Sequence, residues 1–332
     1  MLRYIVRRLI WTVALMVIVS ALVFALFNIF PTADPATLRA GRSASPDQIQ
    51  IIREGLGLDD SKLTQFGRYM QGVFTPFEIE DPKVEGPLDL GESIFQNNVP
   101  IREIIFDRLP ATIFLVVGAV VIWLMVSIPI GIISAVRQKS LLDRTTMVTS
   151  LAFISAPVFW LGLVTLYLFA SDVGVLHIFP GIGSYNDSDS FFGKVGSMIL
   201  PWFVLASATA AVYARYVRSQ MIDVMTEDYI RTARAKGLSE RRVIFRHGLR
   251  SALTPIVTLL GLDMGTLLAG NAILTETVFN IPGVGREVAS AIGESDLPLI
   301  QGIVLFGAFF IVIFNLIVDV LYAYLDPRVR YE

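Results

Sequence analysis

The chain has 332 residues and no cysteine, which excludes disulfides, iron–sulfur clusters and cysteine-ligated zinc. Hydrophobic residues make up 54%, above the about 45–50% of a soluble domain, and the excess is gathered into long runs that mark an integral membrane protein. A net charge of −2 gives no bulk attraction for nucleic acid, and the two histidines, His177 and His247, lie too far apart in sequence for an HExxH-type metal site.

A helix needs about 20 apolar residues to cross the roughly 30 Å hydrocarbon layer. Six stretches qualify, over residues 9–30, 111–135, 145–170, 197–216, 253–274 and 301–322. The first follows Arg3, Arg7 and Arg8, a flank shared by signal peptides and first spans. It exceeds the about 7–15 residues of a signal core and no small-x-small cleavage site follows, so a retained helix is expected. After it, Ser45-Pro46-Asp47 is a helix start, with Ile49, Ile52 and Leu56 on one face; Phe66, Tyr69, Met70 and Val73 repeat the pattern after Ser61. These short helices suit either packing on the membrane mouth or a docking surface for an external partner. Ile101, Ile104, Ile105 and Leu109 then predict a separate helix lying in the interface before the second span.

In the fifth stretch, Gly261, Gly265 and Ala269 recur every four residues, a small-xxx-small face for close helix packing. At about 100° per residue Asp263 points nearly opposite Gly261 and shares its face with Thr266 and Gly270. Intramembrane carboxylates are functional candidates by default. Asp263, Thr266 and Gly270 are therefore candidates for a translocation path, the alternative being that Asp263 pairs with a polar group on a neighbouring helix. Asp319 sits near the end of the last span and suits interhelical bonding or snorkelling. Between the last two spans, Ile281-Pro282-Gly283-Val284-Gly285 breaks the chain. Pro282, Gly283 and Gly285 are candidates for an outer gate, since irregular backbone at membrane depth must be buried in protein or line a cavity; the alternative is a surface loop.

Short loops rich in Lys and Arg stay in the cytoplasm. The N-terminus is basic, and the loop after the second span has Arg137, Lys139 and Arg144 against Asp143. The loop after the fourth holds Arg215, Arg218, Arg231, Arg234, Lys236, Arg241, Arg242, Arg246 and Arg250 against Asp223, Glu227, Asp228 and Glu240. Residues 31–110, 171–196 and 275–300 carry more acids than bases. The expected architecture is therefore all-α: a polytopic membrane protein with six transmembrane helices, both termini cytoplasmic and a long extracytoplasmic loop. Its parts are a stub and first helix (1–30), the extracytoplasmic region (31–110), a five-helix core (111–325) with a cytoplasmic loop at 217–251, and a cytoplasmic tail (326–332).

That loop reads as two short helices around a glycine. Thr226 is placed to cap the first, with Glu227 and Asp228 in its first turn and Arg234 and Lys236 near its end, where the helix dipole favours cations. Gly237 is a natural residue just past the helix end. Ser239 is placed to cap a second helix carrying Val243, Ile244 and Phe245, and Thr254-Pro255 marks entry to the fifth span. A positive-inside anchor explains the basic residues but not the helix–Gly–helix order.

The run Arg231 to Gly237, RTARAKG, resembles the "EAA" loop of binding-protein-dependent ABC permeases, a pattern EAA-x-x-x-G followed by I-x-L-P; here Ala252-Leu253-Thr254-Pro255 follows. The leading Glu of the pattern is Arg231 and its first Ala is Thr232, a departure typical of the dipeptide/oligopeptide subgroup; its second Ala is Ala233. MLRYIVRRL at the start, DLGESI from Asp89, DRLPAT from Asp107, ETVFNIPGVG from Glu276 and LYAYLDPRVRY from Leu321 extend the resemblance over nearly the whole chain. It implies a non-catalytic permease in a prokaryotic plasma membrane, importing peptides, with nickel, an oligosaccharide or another small solute as alternative cargo. Implied partners are a second, similar permease, two ATP-binding-cassette ATPases and an extracytoplasmic substrate-binding protein. Tyr229, Arg231, Thr232, Ala233, Ala235, Lys236, Gly237 and Leu238 would form the coupling loop that docks on an ATPase. The chain itself would carry no cofactor, ATP and magnesium belonging to the ATPases. Consistently, no GxxxxGK[ST] phosphate loop or GxSxG elbow is present: the only Gly-Lys pair, Gly193-Lys194, has neither the hydroxyl residue after it nor the upstream glycine. A membrane enzyme or sensor therefore has poor support.

Overall fold

The computed structural model describes residues 2–29, 34–41, 44–74, 89–96, 98–188 and 190–325. The expected tail 326–332, with the end of the closing motif, lies outside them. Every regular element among the described residues is helical; the only pairings of extended backbone are two isolated bridges, Glu92 with Pro100 and Ala170 with Phe179. In chain order the helices are α1 (Leu2–Phe24), α2 (Pro35–Ala40), α3 (Pro46–Gly55), α4 (Lys62–Phe74), α5 (Ile101–Val136), α6 (Leu141–Ser155) and α7 (Val158–Phe169). They continue with α8 (Phe191–Met225), α9 (Asp228–Ala235), α10 (Glu240–Arg242), α11 (Leu249–Thr266), α12 (Ile273–Phe279), α13 (Val284–Glu294) and α14 (Leu297–Leu325). Among the described residues, five stretches are long and apolar enough to cross a membrane: Val6–Ile29, Ile101–Val136, Phe191–Met225, Glu240–Asn271 and Leu297–Val320. A sixth crossing is counted only if α6 and α7 are taken as one.

That pair corrects the third expected span, residues 145–170. It is two helices bent by 101° between Ser155 and Val158. Pro157 has no N–H to continue the ladder, and it drives the residue before it out of helical conformation; Ala156 is extended, φ −81° and ψ 124°. Hydropathy summed over a window does not register this break.

A second correction concerns α5. The expected interfacial helix and the second span are one continuous helix of 36 residues, about 54 Å long at 1.5 Å per residue. Pro110 lies inside it without ending it. The stripe Ile101, Ile104 and Ile105 is buried against Val284 and Ala291 of α13 and Leu299 and Ile303 of α14, a protein interface and not a lipid surface.

Of the three short helices after α1, α3 and α4 form where the sequence places them, and α2 was not expected. Ser45 Oγ accepts the Gln48 N–H at 3.3 Å while Gln48 Oε1 accepts the Ser45 N–H at 2.9 Å, a capping box with Pro46 at the first position. Phe66 and Tyr69 of α4 rest on Phe24, with ring centroids 5.2 and 5.5 Å apart.

The centre of the molecule is the parallel pair α5 and α8. Near their starts, Trp202 Nε1 donates to the Phe114 carbonyl at 3.1 Å, and a Cβ on Gly118 would lie 2.0 Å from the Trp202 ring. Near their ends, a Cβ on Gly131 would lie 2.6 Å from Val217. Trp123 and Tyr213 fill the space between. The small-residue face of the fifth span packs as expected, on α14: a Cβ on Gly261 would lie 2.0 Å from Val318, and one on Gly265 would lie 2.9 Å from Phe314. Antiparallel to α14 runs α1, where Arg8 Nη1 meets Asp319 Oδ2 at 2.8 Å, the interhelical pairing expected of that acid.

Candidate functional site

Helix α9 follows α8 almost without a link. It buries Ile230 and Ala233 against Val243, with Met225 and Leu238 packed beside them. Its other face, with Tyr229, Arg231, Thr232, Ala235 and Lys236, is exposed. Lys236 occupies the end position and Gly237 takes the left-handed conformation after it, φ +74°. The Gly237 N–H bonds the Arg234 carbonyl at 2.9 Å and the Leu238 N–H bonds the Ala233 carbonyl at 3.4 Å. These two bonds are a Schellman motif, and Leu238 packs against the apolar cluster of Ile230, Ala233 and Val243. Glycine is required because a Cβ is disfavoured at that φ.

Two expected caps do not form. The Thr226 hydroxyl donates to the Asp223 carbonyl at 2.7 Å, so Thr226 closes α8, and Glu227 stands at the start of α9 without a side-chain cap. Ser239 stands at the start of α10, but its hydroxyl makes no capping bond. The second helix is also not short. It runs from Glu240 through a π-helical turn at Val243–Gly248, passes Pro255 without a break, and continues to Asn271. Arg234 ties the two sides of the glycine together by gripping Glu240 at 2.8 and 3.4 Å, and the Tyr229 hydroxyl reaches Ser251 Oγ at 3.0 Å. The loop is therefore a single peg, α9, tied to the end of α8 and to the start of the fifth span.

Asp263 is half-buried and accepts the Tyr213 hydroxyl at 2.6 Å across the α8–α11 contact. Of its two readings, the pairing with a neighbouring helix is present in the structure. Thr266 bonds its hydroxyl to the Asp263 carbonyl at 2.9 Å. Gly270, at φ +106°, ends the fifth span by turning the chain toward α12, and its Cα side faces Gly285.

The Pro282 segment is buried backbone. Gly283 and Gly285 are buried and Pro282 half-buried. Both glycines are set by Glu276, which is fully buried: a Cβ on Gly283 would lie 2.2 Å from its carboxyl carbon and one on Gly285 would lie 2.9 Å from Oε2. Thr112 Oγ1 donates to Glu276 Oε1 at 2.7 Å and accepts the Val284 N–H at 2.9 Å, while the Arg286 N–H donates to Oε2 at 2.9 Å. Burial pushes the Glu276 carboxyl up, against the Thr112 hydroxyl and the backbone N–H groups of Arg286 and Gly285, which favour its ionised form.

Sequence reasoning missed Glu276, along with Asp143 and Asp296, because it assigned all three to solvent-facing loops. All are buried and fully engaged: Asp296 takes the Ser93 hydroxyl at 2.5 Å, and Asp143 takes Arg218 at 2.7 and 2.9 Å. Ser140-x-x-Asp143 is a local cap signature that pointed to one of them. Ser93 lies in DLGESI and Glu276 opens ETVFNIPGVG, so two of the motifs meet their partners in space. Among the described residues no group of three or more His, Cys, Asp or Glu is placed to hold a metal ion.

The family model for the binding-protein-dependent transport system inner membrane component matches residues 127–331, and the N-terminal model of the binding-protein-dependent transport system membrane component matches residues 1–116. The chain is 36% identical to the dipeptide transport system permease protein DppB of Alkalihalophilus pseudofirmus, each chain covered in full. It is 36% identical to the oligopeptide transport system permease protein AppB of Bacillus subtilis, with 99% of each covered. It is 38% identical to the glutathione transport system permease protein GsiC of Salmonella paratyphi A, again over the whole of both.

Proposed function

The chain belongs to the binding-protein-dependent ABC importer permeases, dipeptide/oligopeptide family, and from that premise we propose that it forms half of a peptide translocation pathway driven by partner ATPases. It is a non-catalytic, multi-pass membrane subunit. The observation that carries the reading is α9: a helix with an apolar face seated on its own protein, an exposed opposite face, and a Schellman end that fixes its direction. Such a peg transmits displacement, provided the spans it joins have two arrangements.

In this reading α9 enters a groove of an ATP-binding-cassette subunit. ATP and magnesium are used there, and a second, similar permease supplies the other half of the path. A substrate-binding protein delivers cargo at the end bearing α2, α3, α4 and α13. Both termini face the cytoplasm of a prokaryotic cell. Asp263, Thr266 and Gly270 lie along the path, and the turn of Pro282, Gly283 and Gly285 closes its outer mouth. Peptide is preferred as cargo because the relatives named above are permeases for dipeptide, oligopeptide and glutathione systems.

The test is purification of the tagged chain from its own cell, followed by reconstitution with the proteins that accompany it. Two ATPases and a second permease should co-purify, and ATP-dependent uptake of labelled peptides should exceed that of nickel or an oligosaccharide. A chain that purifies alone and turns over a substrate by itself would sink the proposal.

A further inference from the structure

The first turn of α6 holds a carboxylate with four donors. Asp143, buried, accepts Arg218 Nε at 2.7 Å, Arg218 Nη2 at 2.9 Å, the Lys139 N–H at 2.9 Å and the Ser134 hydroxyl. These donors come from three places: Ser134 from the last turn of α5, Lys139 from the link, and Arg218 from α8. The link is folded around the acid, with Lys139 in left-handed backbone at φ +62° and Ser140 Oγ capping the Asp143 N–H at 3.2 Å. One residue from Arg218, Val217 packs so tightly on Gly131 of α5 that a Cβ there would lie 2.6 Å from it. Two turns further along α8, Thr226 ends the helix and α9 begins.

A bidentate guanidinium–carboxylate pair has one geometry, unlike a point charge, so it holds orientation as well as distance. The arrangement joins the helix that carries α9 to the ends of both α5 and α6. No other ion pair among the described residues ties α8 to these two helices. The geometry points to Asp143 and Arg218 as positioning residues, the joint through which displacement of α9 reaches α6. This rests on the importer reading, in which α9 is what an ATPase moves. Without the joint, α8 still follows α9, but α6 is free to stay behind.

The absence of native cysteine allows a direct test by paired spin labels in the complex assembled with its ATPases. Glu227→Cys reports α9 and Leu151→Cys reports α6, each measured against Ile317→Cys on α14; all three side chains are exposed. In the otherwise native chain, trapping with MgATP and vanadate should shift both distances. In Asp143→Asn the Glu227 shift should remain and the Leu151 shift should be lost. The double change Asp143→Asn with Arg218→Gln leaves no unpaired buried charge, so it inserts, and it should lose the same shift. Arg218→Lys keeps the charge without the fork and should recover part of it. A full Leu151 shift in the double variant overturns the joint, as does a native Leu151 distance that never responds. A native chain whose Glu227 distance does not respond to nucleotide overturns the importer reading itself.

Discussion

At the scale of single residues, the structure separates positions whose chemistry is replaceable from those whose backbone is not. Gly237 has open space around its missing Cβ, so a larger side chain meets no clash there. What forbids it is φ +74°, which for a β-branched residue costs roughly 1–2 kcal/mol. Gly237→Val should therefore leave the spans inserted but misdirect α9, lowering ATPase retention and cargo-stimulated ATP hydrolysis in proteoliposomes. Normal retention and hydrolysis would show that the loop is only an anchor. Ser239→Ala, by contrast, removes no capping bond, since none is made. It should change nothing in the same assays, where a true cap would cost about 1 kcal/mol. Asp263 offers a finer contrast. Asparagine still accepts the Tyr213 hydroxyl through its amide oxygen, so Asp263→Asn should assemble normally; a changed uptake rate is expected from the lost charge. Unchanged uptake would leave the acid a packing partner and nothing more.

At the scale of elements, the start of α3 and the turn glycine Gly237 were legible in the sequence, whereas the caps expected of Thr226 and Ser239, the bends and the buried acids were not. The α3 capping box and the Gly237 end follow from residues within five positions of one another, so local reading suffices. The Glu276 cluster cannot be read that way: its carboxyl meets Thr112 from 164 residues earlier, and an isolated Glu beside a Pro-Gly turn looks like solvent-facing polarity. The 101° bend at Pro157 failed for a related reason, because apolar content persists across it while the backbone does not. The Glu276–Thr112 pairing also defines a testable unit. Thr112→Val deletes a hydroxyl that donates to Glu276 and accepts from Val284, leaving buried partners unsatisfied at a cost of about 1–3 kcal/mol. The variant should unfold at lower temperature in detergent and, with the outer turn loosened, leak a small dye from liposomes without ATP. Native leak rates despite lowered stability would remove the gate role and keep the structural one.

At the scale of the molecule, the contacts order the spans end to end. The first halves of α5 and α8 meet through Phe114 and Trp202, and the last turn of α5 meets α8 two turns before its end through Ser134, Asp143 and Arg218, so the two helices run in the same direction. α9 leaves from the end they share, and Arg8 and Asp319 join the start of α1 to the end of α14. The opposite end carries α13, with Val284 and Ala291 packed on Ile101 at the start of α5. Basic residues gather at the α9 end in sequence, and short basic loops stay in the cytoplasm. That charge pattern was legible without a structure, because it depends on composition near span ends and not on packing. Which end faces inward then becomes a labelling question that a cysteine-free chain answers cleanly. Asp59→Cys and Asp187→Cys, both exposed, should react in intact cells with a membrane-impermeant maleimide, whereas Ser239→Cys should react only after the membrane is opened. Labelling of Ser239→Cys from outside would invert the molecule and place α9 where no cytoplasmic ATPase reaches it.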